Sequence, residues 1–296
     1  MRVLITGCHG QVGSCLTKQL ANNENIAVLA LDREHLDITS QDAVNATVAE
    51  FGPSIIINAA AHTAVDKAEE EVELSYAINS DGPKYLAQAA QSVGAAILHI
   101  STDYVFDGNK VGEYHETDIT NPQGVYGESK LAGEKAVALE CEKHIILRTA
   151  WVFGENGNNF VKTMLRLGEN RDALNVVDDQ FGGPTYAGDI ASTLIQIAKR
   201  INQGDAVEYG VYHYSGLPHV SWFDFADTIF DIAVEQNVLA KKPNLTSITT
   251  DQYPTPAKRP SNSRLNTEKI MQYFFVQASD WRKALKAILG GNDGCH

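Results

Sequence analysis

The chain has 296 residues, 44% of them hydrophobic and 21% charged, with a formal net charge of −13. That apolar content excludes a disordered chain, and the acidic balance argues against a nucleic-acid partner, whose phosphates demand a dense field of Lys and Arg. The length suits one large domain or two intimate ones. No apolar run nears the roughly 18 residues that cross a bilayer. After Met1 and Arg2 the chain enters an apolar strand with no leader-like segment, so a soluble cytoplasmic protein without a membrane partner is expected. The cysteines (Cys8, Cys15, Cys141, Cys295) form no C-x-x-C pair and the histidines no H-E-x-x-H, so no metal site is expected.

Val3, Leu4 and Ile5 predict a short buried strand, followed at once by Gly7, Gly10 and Gly13 in a G-x-x-G-x-x-G loop. Gln11 and Val12 open a helix inside that loop, because Val12, Leu16 and Leu20 recur at helical spacing. A second strand over 26–31 ends in Asp32 and Arg33. A helix follows over 40–51 with Ser40 as its N-cap, then a third strand at Ile55, Ile56 and Ile57. This β-α-β-α-β run predicts a doubly wound parallel sheet, Rossmann-like in its glycine turn. The glycines permit a sharp exit from the strand and a close approach of backbone N–H groups to a pyrophosphate. A carboxylate at Asp32 is placed for an adenosine ribose hydroxyl, so dinucleotide binding is expected. Asp32 would repel a 2′-phosphate whereas Arg33 would clamp one, and the pair is compatible with NADPH or NADH.

A long helix is predicted over 71–93, then a buried strand over 95–100 that runs into Ser101, Thr102 and Asp103. Strand carboxyl ends face the ligand in such a sheet, which presents Thr102 to a nicotinamide. A further helix starts at Tyr126 and runs to about residue 141. Tyr126 and Lys130 are four apart and share one helical face. Reducing a ketone requires hydride at carbon and a proton at oxygen. A tyrosine with pKa near 10 is a reluctant acid, and a neighbouring ammonium is expected to lower that value and make Tyr126 a proton donor. Thr102 would orient the carbonyl.

Gly7-x-x-Gly10-x-x-Gly13 with Tyr126-x-x-x-Lys130 resembles the extended short-chain dehydrogenase/reductases. Longer blocks are similar to the dTDP-4-dehydrorhamnose reductase family: NAAAHTAVDKAE at 58–69, STDYVFDG at 101–108, VYGESKLAGEK at 125–135, GNNF at 157–160, DQFG at 179–182, PTPA at 254–257 and NSRL at 262–265. The resemblance covers nearly the whole chain. It implies reduction by NAD(P)H of the 4-keto group of dTDP-6-deoxy-L-lyxo-4-hexulose to dTDP-L-rhamnose. It also implies that Gly10 to Gly13, Asp32, Asp37, Ile38, Ala61, His62 and Thr63 line the cofactor. Thr102, Tyr126 and Lys130 would form the catalytic triad, with Lys130 also on the nicotinamide ribose, and Thr102, Asp103 and Trp151 would touch the sugar. Some relatives are described as pairing through a magnesium ion held by carboxylates. Cys15 and Gly188 stand at two matching positions and are not magnesium ligands, so a monomer or a metal-free homodimer is expected.

A strand over 143–148 precedes Trp151, which offers a flat face to a hexose or fills the core. Helices are predicted over 189–200 and from Ser221 through Trp222, Phe225, Ile229 and Ile232. Residues 1–150 are read as the dinucleotide-binding domain, with about 180–215 returning to it. Residues 151–296 are read mainly as a smaller, intertwined substrate-binding lobe. A nucleotide-diphosphate sugar needs local cations on an acidic protein, and the loop at 254–264 supplies Lys258, Arg259 and Arg264, with Arg259 assigned to the substrate. The tail at 290–296 is expected to be flexible. Two rival readings remain open: a nucleotide-sugar epimerase or dehydratase of the same superfamily, and a non-catalytic regulatory subunit. Dehydratases of that superfamily carry Asp-Glu after the threonine, and here Asp103 is followed by Tyr104.

Overall fold

The computed structural model describes residues 1–21, 23 and 25–291. Its first strand, β1 (Arg2–Thr6), leads through the glycine turn into α1 (Gln11–Leu20), β2 (Ala27–Leu31), α2 (Gln41–Phe51) and β3 (Ile55–Asn58). Two short helices, α3 (Val65–Ala68) and α4 (Val72–Tyr76), precede α5 (Gly82–Val93), β4 (Ala96–Thr102), α6 (Val125–Glu140) and β5 (His144–Thr149). The later elements are β6 (Val152–Phe153), α7 (Phe160–Asn170), β7 (Ala173–Val177), β8 (Phe181–Gly182), β9 (Thr185–Tyr186), α8 (Ala187–Gln203) and β10 (Gly210–His213). They continue with β11 (Val220–Ser221), α9 (Trp222–Glu235), β12 (Asn244–Ile248), β13 (Asn262–Ser263), α10 (Glu268–Phe274) and α11 (Trp281–Leu289).

The main sheet is parallel throughout, in the order β10-β5-β4-β3-β1-β2. It is the doubly wound α/β sheet that the sequence predicts. The winding reverses between β1 and β3, which opens a crevice at their carboxyl ends. Strands covered on both faces need near-continuous apolar side chains, and the triple isoleucine of β3 meets that need. Ile55 and Ile57 pack with Leu98 and Leu147 on the face that α1 and α8 cover, while Ile56 packs with Ile97, Ile146, Leu86 and Val137 on the opposite face.

After β5 the chain leaves this sheet for three small ones: β11-β8-β13, β12-β7 and β6-β9. It returns when α8 packs along α1 and β10 pairs with β5. Ser221 caps α9 as expected: its hydroxyl accepts from Asp224 N at 3.0 Å, and the Asp224 carboxylate accepts from Ser221 N at 3.4 Å. Ser40 likewise accepts from Ala43 N, at 3.4 Å, and starts α2.

One predicted element differs. The helix expected over 71–93 is broken by a π-helical turn at Ala77–Asp81. Pro83 has no N–H to offer the Asn79 carbonyl four residues back, and the backbone widens there. α6 comes very close to this turn: a Cβ at Gly133 would lie 2.0 Å from Asn79 O.

No helix among the described residues is long and apolar enough to cross a membrane. Cys8, Cys15 and Cys141 are buried and form no disulfide. Of the tail at 290–296, expected to be flexible, residues 292–296 with Cys295 lie outside the described residues.

The contact at Gly133 yields a stability prediction. Gly133→Ala should destabilise the fold by about 1–3 kcal/mol, since the added carbon forces α6 off the turn. A urea midpoint equal to that of the parent protein would show that the helix has room to spare.

Candidate active site

The glycine turn is shaped by close contacts. Gly7 has φ of +70°, and a Cβ there would sit 2.6 Å from Ala60 N, so the loop after β1 rests on the loop after β3. A Cβ on Gly13 would fall 2.0 Å from Gly7 O, so the loop folding back on itself requires a glycine here. Gly10 is the N-cap of α1; it has no side chain to cap the helix, and no acidic residue stands in the first turn. The first N–H groups of α1 are thus left for an external anion. This cradle fits the pyrophosphate of a dinucleotide. Val12 is buried, and Gln11 accepts from Asn159 Nδ2 at 3.0 Å, which ties the turn to the start of α7.

Asp32 follows β2 directly. Its carboxylate accepts from Glu34 N and His35 N, each at 3.0 Å, and lies 2.6 Å from His35 Nδ1 and 3.1 Å from His9 Nε2. The hydrogen bonds from His35 hold it below the usual carboxylate range. Arg33 is exposed beside it. Asp37 is engaged by Thr39 N and Thr39 Oγ1, and Ile38 is a core side chain that packs on Gly82. Ala61, His62 and Thr63 follow β3. Both ring nitrogens of His62 are engaged, at 2.9 Å with Ser75 Oγ and 3.1 Å with Glu71 Oε2. Its backbone is pinned by Asn79, whose Oδ1 accepts from His62 N at 2.8 Å and whose Nδ2 donates to His62 O at 3.0 Å.

At the end of β4 the structure brings Thr102, Asp103, Tyr126 and Lys130 together. Thr102 Oγ1 donates to Asp103 Oδ1 at 3.1 Å and accepts from Tyr104 N at 3.2 Å. The Tyr126 phenol lies beside the Thr102 hydroxyl. Lys130 Nζ donates to Ile100 O at 2.7 Å. Burial pulls the Lys130 ammonium down from 10.5 to about 8, and the Glu134 carboxylate opposes that fall. The unfolded chain therefore binds this proton more tightly, so the group costs stability below about pH 8 and that cost fades as pH rises towards 10.5.

Tyr126 differs from the expectation. Burial raises its phenol above the ordinary value, against the opposing influence of the neighbouring Thr102 hydroxyl. The Lys130 ammonium is directed at the Ile100 carbonyl and does not offset this rise. Asp103 is also raised by burial, to about 6, and its Oδ2 has no hydrogen-bond partner.

Tyr126 shares a pocket with Val65, Tyr104, Phe106, Lys258 and Arg259. Arg259 Nη2 donates to Asp66 Oδ2 at 2.6 Å and Nη1 to Tyr104 at 3.3 Å, while Asp66 Oδ1 accepts from Ala257 N at 3.1 Å. Arg264 is directed elsewhere, to Asn262 Oδ1 at 2.8 Å. Trp151 follows β5 with φ of +50°, stacked on Trp222 with centroids 3.5 Å apart, and a Cβ on Gly182 would come within 2.5 Å of its ring.

Asn79, Asp66, His9 and His35 escaped the residue-by-residue reading. Asn79 gives no local signal beyond a polar residue in a helical stretch, while Asp66 and Tyr104 stood unassigned within the longer blocks.

The chain matches the family model described as RmlD substrate binding domain over residues 1–292. A dTDP-4-dehydrorhamnose reductase from Aggregatibacter actinomycetemcomitans is 58% identical over 287 residues, covering 97% of this chain and 98% of the relative. Among solved structures, a dTDP-4-dehydrorhamnose reductase from Clostridium acetobutylicum superposes with a TM-score of 0.90 at 43% identity, covering 98% of both chains. One from Bacillus anthracis, in complex with NADP, superposes with a TM-score of 0.89 at 39% identity, covering 97% of this chain and 98% of that one. The chain belongs to the RmlD family, that of the dTDP-4-dehydrorhamnose reductases.

Proposed function

We propose that this protein reduces the 4-keto group of dTDP-4-dehydro-L-rhamnose to dTDP-L-rhamnose with NADPH or NADH, through Thr102, Tyr126 and Lys130. The observation that carries this reading is the meeting of those three groups at the carboxyl edge of the sheet, beside an uncapped glycine turn. The reduced nicotinamide, when bound, supplies the hydride. Gly7, Gly10, Gln11, Val12 and Gly13 hold the pyrophosphate. Asp32 and Arg33 meet the adenosine ribose, and Asp37, Ile38, Ala61, His62 and Thr63 border the cofactor, Ile38 and His62 through their backbones. Residues 1–150 with about 180–215 form the dinucleotide-binding part, and the remaining segments the substrate lobe.

In the reaction, Thr102 turns its hydroxyl from Asp103 to the ketone oxygen and orients it. Tyr126 donates the proton. Its raised pKa keeps the phenol protonated at neutral pH, and an alkoxide developing on the sugar is the stronger base. Lys130 exchanges its Ile100 contact to stabilise the phenolate left behind, and also holds the nicotinamide ribose. The unpartnered Oδ2 of Asp103 accepts from a sugar hydroxyl. Trp151, backed by Trp222, forms the wall beside the sugar. Arg259 exchanges its Asp66 contact for the diphosphate. We read the enzyme as cytoplasmic, and as a monomer or a metal-free homodimer. Cys15 is buried in α1, and a Cβ on Gly188 would lie 2.3 Å from the Tyr186 ring, so neither position carries a metal-binding carboxylate.

Absorbance at 340 nm, followed with the dTDP-4-keto-6-deoxy-L-sugar and either reduced cofactor, tests this reading. The parent protein should consume cofactor, and Tyr126→Phe should lose roughly 10²–10⁴-fold in kcat; a fully active Tyr126→Phe would remove the tyrosine from the mechanism. The alkaline limb of kcat/KM should fall with an apparent pKa near 8, since the ammonium of Lys130 is lost as pH rises through that value. A profile flat to pH 10 would contradict the role given to Lys130. Arg259→Ala should raise KM roughly 10–100-fold, the scale of a lost charged hydrogen bond, with a smaller change in kcat. An unchanged KM would place the diphosphate elsewhere.

A further inference from the structure

Behind Lys130 lies a buried ion pair that the reaction as described does not use. Glu134, one helical turn further along α6, is 3% exposed. It accepts from Arg148 Nε at 2.9 Å and from Arg148 Nη2 at 2.7 Å, a two-pronged pair with both partners buried. The same carboxylate accepts from Ser101 Oγ at 2.5 Å. Tyr126, Lys130 and Glu134 repeat at four-residue spacing, so one helical face addresses three consecutive residues of β4. Tyr126 meets Thr102, Lys130 meets the Ile100 carbonyl, and Glu134 meets Ser101 between them.

We propose that Glu134, clamped by Arg148 and Ser101, is a positioning residue that fixes the Lys130 ammonium and the Thr102 hydroxyl in register across the contact of α6 with β4. This rests on the roles given to Lys130 and Thr102 above. The clamp extends beyond the two elements. Arg148 lies under the Phe106 ring, 5.1 Å from its centroid, and Phe106 lines the pocket of Tyr126. Arg148 Nη1 is 3.5 Å from Nε2 of His213, which burial keeps neutral. A two-pronged arginine pair with a third hydrogen bond permits one geometry, whereas an apolar contact tolerates sliding.

Glu134 is also a countercharge for Lys130, and it favours the ammonium against burial. Of the other titratable groups in this cluster, His99 on β4, lowered by burial and by the Lys130 charge, and Tyr126 on α6 itself are neutral at physiological pH, while Asp103, just after β4 and raised to about 6, is ionised. From the π-helical turn packed on α6, the group that reaches in is the neutral Asn79, which donates to Ser129 at 3.1 Å.

The test is a ¹³C NMR titration of the Lys130 ε-methylene in the full chain, assigned by its loss in Lys130→Arg, run beside pH–rate profiles. In Glu134→Gln the Lys130 midpoint should fall by a unit or more from about 8, the alkaline limb should move with it, and kcat at pH 8 should drop at least tenfold with little change in KM. An unmoved midpoint and limb would overturn the proposal. Glu134→Gln alone leaves the Arg148 charge bare and weakens the fold, so the double variant Glu134→Gln/Arg148→Met is the control. It should recover the thermal midpoint of the parent but neither the limb nor kcat. Recovery of all three would show a purely structural pair and overturn the proposal. A shifted Lys130 midpoint in a chain whose parent consumes no cofactor would uphold the clamp and refute the catalytic reading instead.

Discussion

A charged ammonium at the buried face of α6 is the feature on which the site depends, and the carbonyl of Ile100 is what receives it. Taking an ammonium out of water is expensive, and a hydrogen bond to a strand-end carbonyl returns part of that cost while locking helix to sheet. The bond demands close approach. Two glycines of α6 answer it: a Cβ at Gly127 would meet Tyr104 O at 2.2 Å, and one at Gly133 would meet Asn79 O at 2.0 Å. Each glycine costs a helix interior about 1 kcal/mol relative to alanine. The helix carries that cost where its neighbours sit too near for any side chain.

The π-helical turn belongs to the same arrangement. Its widened backbone directs the Asn79 side chain to His62 on one side and Ser129 on the other, so one amide joins the loop after β3 to α6. The dinucleotide cradle and the Tyr126 helix are thus braced against each other by buried hydrogen bonds, and such groups are costly to leave unpaired.

Electrostatics shape the other half of the site. A protein of net charge −13 repels anions at long range, and Lys258 and Arg259 bring cations to the pocket of Tyr126. Asp66 holds that guanidinium and also the backbone at Ala257, so the loop over the pocket is anchored with its cation in place. The position that follows Asp103 is filled by Tyr104, which Arg259 contacts, and the acid that a dehydratase needs there is absent. That favours ketone reduction over water loss on grounds of residue chemistry.

Much of this was legible in the residues. The glycine spacing, the apolar strand triplets and the Tyr126–Lys130 repeat are local patterns, each set by backbone sterics or by helical periodicity, and the parallel sheet and its order of elements follow from them. The long blocks around Asn58, Ser101 and Tyr126 carried the family. What tertiary structure alone decided is of another kind. The direction of the Tyr126 shift depends on how much solvent the folded chain removes, and spacing says nothing of that. Trp151 found Trp222, distant in sequence, as its stacking partner, and Arg259 found Asp66. Glu134 could be read as a solvated helix residue until Arg148 arrived from another strand. Periodicity along a chain determines which face a side chain takes; burial and charge pairing are set by what the fold brings to that face.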